Sequence, residues 1–272
     1  MTVIFLTQTS TSRIYPWYAN TGEYDTLESR IPPPRGFVRP DLPVKSFGTW
    51  LRGLPLKPAG TPVYLWNGAK KHTQSRHAAV VDLDFIGKNL QQCVDVIIRL
   101  RAEYLWSTGR RKQIAFSYEC CEEKIPWSKW REGWRTEVKK ENGRYGFEWQ
   151  RSAEPDDSRD NFRAYLFNIM MYAGTHALAR DMKPTDTSEL KAGDAFVQGA
   201  RAGYGHGVIV IDEAVSPDGR KVILLAQSYN PAENLNILKS GISGLSPWFP
   251  TDFKGSLTTP EWTFKKRHAR KF

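Results

Sequence analysis

The chain has 272 residues, of which 40% are apolar and 25% charged, enough to bury one large core or two small ones and unlike a long disordered polymer. No apolar run approaches the roughly 20 residues that cross a bilayer, and Val3-Ile4-Phe5-Leu6 is too short for a signal-peptide core, so neither a transmembrane segment nor a leader is read here. The net charge of +10, about half of it in the tail that begins at Lys265 (KKRHARKF), suits an anionic partner such as nucleic acid, acidic lipid or a cell-wall polymer; the plainer reading of that tail is a frayed, solvated terminus.

Residues 1–60 are rich in Pro, Gly and Arg (IPPPRGFVRPDLP, LRGLPLKPAG) and read as an irregular wrap with one short helix near Phe47–Leu51. Thr61–Trp66 and Ala78–Phe85 read as strands, with a turn at Asn67-Gly68. From Leu90 to Trp106, the residues Leu90, Val94, Ile97, Ile98 and Leu105 recur at helical spacing. Asn89 is the expected N-cap, and Asp95 and Arg99 form an i,i+4 pair on the expected exposed flank. Gln113–Tyr118 reads as a strand and Trp127–Trp134 as a short amphipathic segment. Thr136–Lys140 and Arg144–Gln150 flank an Asn142-Gly143 hairpin turn. Asp157–Arg180 is expected to be one long helix, slightly weakened by Gly174. The last third holds three apolar strands, Ala195–Gln198, Val208–Asp212 and Val222–Gln227, the latter two joined by a Ser216-Pro217-Asp218-Gly219 turn. The pattern predicts an α+β domain over 61–255, followed by the basic tail at 256–272.

The candidate chemistry starts from three cysteines, Cys93, Cys120 and Cys121, which form neither a disulfide framework nor a zinc-type spacing. Cys120-Cys121 reads as a local oddity. Cys93 stands near the start of the first long helix, where the helix dipole and unpaired N–H groups favour a thiolate and an oxyanion; an ordinary buried cysteine is the plainer reading. His206 heads an apolar strand between Gly205 and Gly207, which would leave room around its ring. Gln227, on the next strand, falls near the same end of the sheet and offers a carboxamide oxygen to the Nδ1–H of the imidazole. The order Cys, His, polar residue suits a thiol hydrolase, with Cys93 as nucleophile, His206 as base and Gln227 as its orienting partner. Ser228 and Tyr229 join Gly205 and Gly207 as candidates for the cleft. His77, sixteen residues before Cys93, is an alternative base. Asp82 and Asp84 share one strand face and are expected to be solvated. Trp127, Trp130 and Trp134 fit a packed helix face better than a sugar platform. No metal site, cofactor motif, phosphate loop or nucleic-acid module is recognised.

The stretch Ala192–Asp212 (AGDAFVQGARAGYGHGVIVID) resembles the His-bearing part of NlpC/P60 cysteine peptidases. The resemblance implies a papain-like fold, an antiparallel sheet packed on a Cys-bearing helix, and the same roles for Cys93, His206 and Gln227. Here Gln92-Cys93-Val94-Asp95 replaces the usual Asp-Cys-Ser/Ala, and the long Cys-to-His separation implies an insertion at about 110–185 that holds the hairpin and the second helix. Over most of the chain, WLRGLPLKPAGTPVYLWNG, LQQCVDVIIRLRAEYLW, KWREGWR, GHGVIVID and LLAQSYNPAENLNILK are similar to a bacterial family, domain of unknown function 4846. That resemblance implies an envelope setting with a removed leader. The expected function is a cysteine-dependent hydrolase or acyltransferase on an amide or ester, for instance a cell-wall peptide. The alternative is a non-catalytic binding or accessory module with the same fold.

Overall fold

A computed structural model describes residues 14–19, 23–200 and 203–272. The Val3–Leu6 run, part of the N-terminal wrap and Arg201-Ala202 of the glycine-rich loop lie outside the described residues.

In chain order the elements are α1 (Leu27–Arg30), α2 (Phe47–Arg52), β1 (His77–Val80) and α3 (Cys93–Ser107), then β2 (Ala115–Ser117), β3 (Lys124–Pro126) and α4 (Trp127–Trp130). A long hairpin follows, β4 (Trp134–Glu141) and β5 (Arg144–Arg151), then α5 (Arg159–Tyr172), α6 (Thr175–Asp181) and β6 (Lys183–Pro184). The last part contains β7 (Ala195–Gln198), β8 (His206–Val215), β9 (Lys221–Gln227), β10 (Asn236–Leu238), β11 (Phe249–Pro250), β12 (Ser256–Thr258), β13 (Thr263–Lys265) and β14 (Ala269–Lys271). The architecture is mixed α+β with antiparallel sheets.

The central sheet has the order β1-β10-β9-β8-β7-β14-β6, and β11 shares the outer edge of β9 with β10. Its middle strands read as continuous apolar runs because both faces are covered. Ile209, Ile211 and Ala226 join Val94, Ile97 and Ile98 of α3 in the larger core. Val208, Val210 and Leu225 face the other way, into a second core with Phe196, Phe249, Leu257 and Phe264. The basic tail does not fray. Phe264 and Ala269 are buried, and β14 pairs with β7 through Phe196 and Ala195, so apolar residues between the cations lock it into the sheet.

The N-terminal segment is more than a wrap. Leu27, Trp50, Leu51 and Leu54 enter the main core. Arg39 and Arg52 both reach the fully buried Asp212 of β8, at 2.6 and 2.8 Å. A buried carboxylate needs such partners, and the pair pins this segment to the sheet.

Five local expectations need correction. The strand expected over Ala78–Phe85 ends at Val80, so Asp82 and Asp84 share no strand face. Thr61–Trp66 forms only isolated bridges, Tyr64 to Lys70 and Leu65 to Glu233, around the expected turn. Helix α3 starts at Cys93 rather than after Asn89, because the Asn89 side chain accepts the Ala232 N–H at 2.7 Å and cannot cap the helix. Asp95 and Arg99 are both buried and do not pair. Arg99 bonds Asp84 and Gln91 and lies 3.6 Å from Glu103, which in turn meets Arg159 of α5. The expected single helix 157–180 breaks at Ala173-Gly174 into α5 and α6, and Glu119 fills the break by accepting the Ala177 N–H at 3.0 Å.

Candidate active site

Cys93 is the first residue of α3, so its own N–H and those of Val94 and Asp95 have no intrahelical acceptor. Asp95 reaches back to the Gln92 N–H at 2.9 Å and fixes the entry of the chain into the helix. The helix packs on β8 at Gly207, where an added Cβ would stand 3.0 Å from Val94 Cγ1 and 3.2 Å from Ile97 Cδ1. That close approach brings the Gly207 N–H to the Cys93 sulfur. The nucleophile candidate thus sits against the residue that follows His206.

The β8–β9 register pairs Ile209 with Ala226. Strand alternation then puts His206 and Gln227 on one face, and His206 Nε2 lies 2.9 Å from Gln227 Oε1. The amide orientation is fixed from behind: Gln227 Nε2 donates to Glu261, and Glu261 is held by Lys71, which also binds Glu233 at 2.8 Å. A carboxylate only accepts, so Gln227 must turn its oxygen toward His206. His206 therefore donates from Nε2, and the neutral ring keeps its lone pair on Nδ1. The bond thus falls on Nε2 rather than on the expected Nδ1. The ring packs against Tyr229, Trp262 and Phe264, with centroids 5.0, 5.3 and 5.9 Å away.

Cys93 and His206 line one cleft of about 800 Å³ with Gln92, Asp95, Thr175, Gly205, Tyr229 and Trp262. Among the described residues no hydrogen bond joins Cys93 to His206. Of the other cleft candidates, Tyr229 and Gly205 line the wall, while Gly207 lies under α3. Both glycines serve close packing rather than room for the ring. A Cβ on Gly205 would come within 2.3 Å of both the Gln198 carbonyl oxygen and Thr175 Oγ1. Ser228 is buried away from the cleft, its hydroxyl 2.7 Å from the Gln91 carbonyl and 2.8 Å from that of Glu233, tying the α3 entry to the β9–β10 connection. His77 lies on β1, three positions from β8 in the sheet, with Nε2 3.3 Å from the Thr61 carbonyl; it does not line the cleft. Lys71, Glu261 and Trp262 were not foreseen, because they come from a loop and from the supposed tail.

The electrostatics oppose a preformed ion pair. Burial, then the neighbouring Asp95 charge, push the Cys93 thiol up to about 11, partly offset by the N–H groups of Gly207, Val94 and Cys93 itself. Burial pushes His206 down to about 4, offset by Gln227 and the Glu261 charge. Burial also pushes the Asp95 carboxyl up to about 8. The helix dipole therefore does not make Cys93 a resting thiolate, as its position in the sequence suggested. Near neutral pH Cys93 and His206 are both uncharged.

The remaining candidates have structural roles. Asp84 is paired with Arg99 and Arg163, and Asp82 lies 3.8 Å from Lys57. Trp127 and Trp130 are buried against Tyr165, as a packed face requires, whereas Trp134 lies outside that helix and opens β4. Cys120 and Cys121 are joined in a disulfide between neighbours in the chain. No helix among the described residues is long and apolar enough to cross a membrane, and none of their His, Cys, Asp and Glu side chains cluster as a metal site.

A family model described as domain of unknown function (4846) matches residues 27–271. No curated protein and no solved structure matches the chain.

Proposed function

The chain belongs to the family of the domain of unknown function (4846), and for it we propose a cysteine-dependent hydrolase or acyltransferase acting on an amide or ester. The observation that carries the proposal is the buried His206–Gln227 bond, which leaves the basic Nδ1 on a ring that shares a cleft with Cys93. In this reading the Cys93 thiol gives its proton to His206 Nδ1 as the sulfur attacks the carbonyl carbon. The tetrahedral oxyanion forms beside the N–H groups of the first turn of α3. Collapse breaks the bond to the leaving amine or alcohol, which takes the proton from His206, and leaves a thioester. Water or an acceptor amine or alcohol, deprotonated by His206, then releases the acyl group and restores the thiol. Because the resting pair is neutral, His206 acts as a general base during attack rather than as half of a standing ion pair. The papain-like order of these three residues, and a cell-wall peptide as one amide substrate, belong to this proposal.

The second reading is a non-catalytic binding or accessory module of the bacterial envelope. It is favoured by the neutral resting state of both groups and by the lack of a hydrogen bond between them. Intact-mass analysis after incubation with p-nitrophenyl acetate separates the two. The enzyme reading expects an acetyl group on Cys93, absent in Cys93→Ala; a chain that is never acylated at Cys93 is a binding module.

A further inference from the structure

The cleft beside Cys93 has a composition unlike the rest of the molecule. The protein carries 39 Lys and Arg residues and a net charge of +10, yet no Lys or Arg is among the described residues that line this cleft. Lys71, behind the His206 partner, is spent on Glu233 and Glu261. The wall is instead built from Leu90, Val94, Met170, Met171, Ala173 and Trp262, with Tyr204 at the loop before β8. Two of these are large apolar side chains left in solvent: Tyr204 is 83% exposed and Met171 46% exposed. An exposed thioether and ring on the rim of a cleft that holds a thiol are surfaces that a bound apolar group would cover. Methionine adapts to chains of different shape, which suits an acyl tail better than a side chain of fixed geometry. The polar residues of the wall are Gln92, Asp95, Thr175, His206, Tyr229 and Asn230. The Thr175 hydroxyl is occupied by the Ala200 N–H at 3.3 Å, and Gln92 Nε2 donates to the Asn89 carbonyl at 3.0 Å.

We infer that the group transferred or cleaved here is an uncharged, aliphatic acyl chain seated along Met170, Met171 and Leu90, rather than an anionic or sugar-bearing one. The inference rests on the reading of Cys93 as the nucleophile.

The test uses p-nitrophenyl acetate, hexanoate and hemisuccinate with the whole chain, each corrected by the Cys93→Ala background. Four added methylenes in an apolar groove predict hexanoate above acetate in kcat/KM by about tenfold or more, with hemisuccinate below acetate. Met171→Asp is expected to shrink the hexanoate-to-acetate ratio at least severalfold, and Met171→Leu to preserve it. A second readout does not need turnover: mass spectrometry of Cys93 alkylation by N-hexyl iodoacetamide and by iodoacetate, each relative to its rate with free cysteine. The hexyl reagent is expected to win by about tenfold or more. Hemisuccinate turned over faster than hexanoate, or iodoacetate matching the hexyl reagent, overturns the inference while leaving Cys93 as nucleophile. No acylation of Cys93 by any ester overturns the nucleophile reading and the acyl substrate with it; a hexyl preference in alkylation then marks the cleft as an apolar binding site alone.

Discussion

His206 Nε2 donates to Gln227 Oε1 across 2.9 Å with both side chains buried, and Glu261 holds the other end of the same amide. This chain of acceptors decides which imidazole nitrogen is basic. Gln227→Ala is therefore expected to lower Cys93 acylation by about 10–100-fold, the scale on which an orienting partner acts on a ligand ring. In the same variant, ¹⁵N–¹H NMR of the His206 ring should lose the single Nε2–H tautomer. Slower acylation with an unchanged tautomer would assign Gln227 a packing role only.

Stability should depend on His206 in one pH window. Burial holds its folded pKa near 4, below the unfolded value of 6.5. Between those values the unfolded chain binds a proton that the folded chain refuses. The contribution is fully present above pH 6.5 and is lost as pH falls toward 4, on the order of 3 kcal/mol. Urea melts of the wild type and His206→Phe from pH 4 to 7 check this. The variant should lack that part of the acid slope, and parallel curves would refute it.

Asp95 shifts the opposite way. Its folded pKa of about 8 lies above the unfolded carboxyl value, so its contribution falls as pH rises from 4 to 8. Asp95→Asn keeps an acceptor for the Gln92 N–H and cannot ionise. Its stability relative to wild type should grow across that window. It should also remove the charge that holds the Cys93 thiol high, so iodoacetamide should label Cys93 faster at pH 9 in the variant. Equal labelling rates would separate Asp95 from the thiol.

The two glycines around His206 make a graded pair. Gly207→Ala crowds the Val94 and Ile97 side chains, at 3.0 and 3.2 Å, and should cost about 1–3 kcal/mol. Gly205→Ala meets a backbone carbonyl at 2.3 Å and should cost more. Thermal melts give the order. The reverse order would mean that the loop before β8 yields more easily than the α3–β8 contact.

Much of this was legible from residues. The apolar runs of β7, β8 and β9, the Asn142-Gly143 hairpin and the Cys93 helix follow from periodicity and turn chemistry, and strand alternation brings His206 and Gln227 together. What periodicity misread were polar residues buried by pairing. Asp95, Arg99 and Glu103 repeat every four residues like a solvated stripe, but Asp84 and Arg159, distant in sequence, turn part of that stripe inward. The same blindness hid Glu261 and Lys71, whose role exists only once the segment after β11 folds back over the sheet. The break at Gly174 depends on Glu119, which no local window contains.

The central claim is that His206 takes the Cys93 proton. It is tested most directly by the rate of Cys93 acylation by p-nitrophenyl acetate at pH 7.5 in the wild type and His206→Ala, read by intact mass. The account predicts a fall of about 10²–10⁴-fold on removing the imidazole, the range of a general base. Equal rates in the two proteins would show that the thiol and the ring share a cleft without sharing a proton.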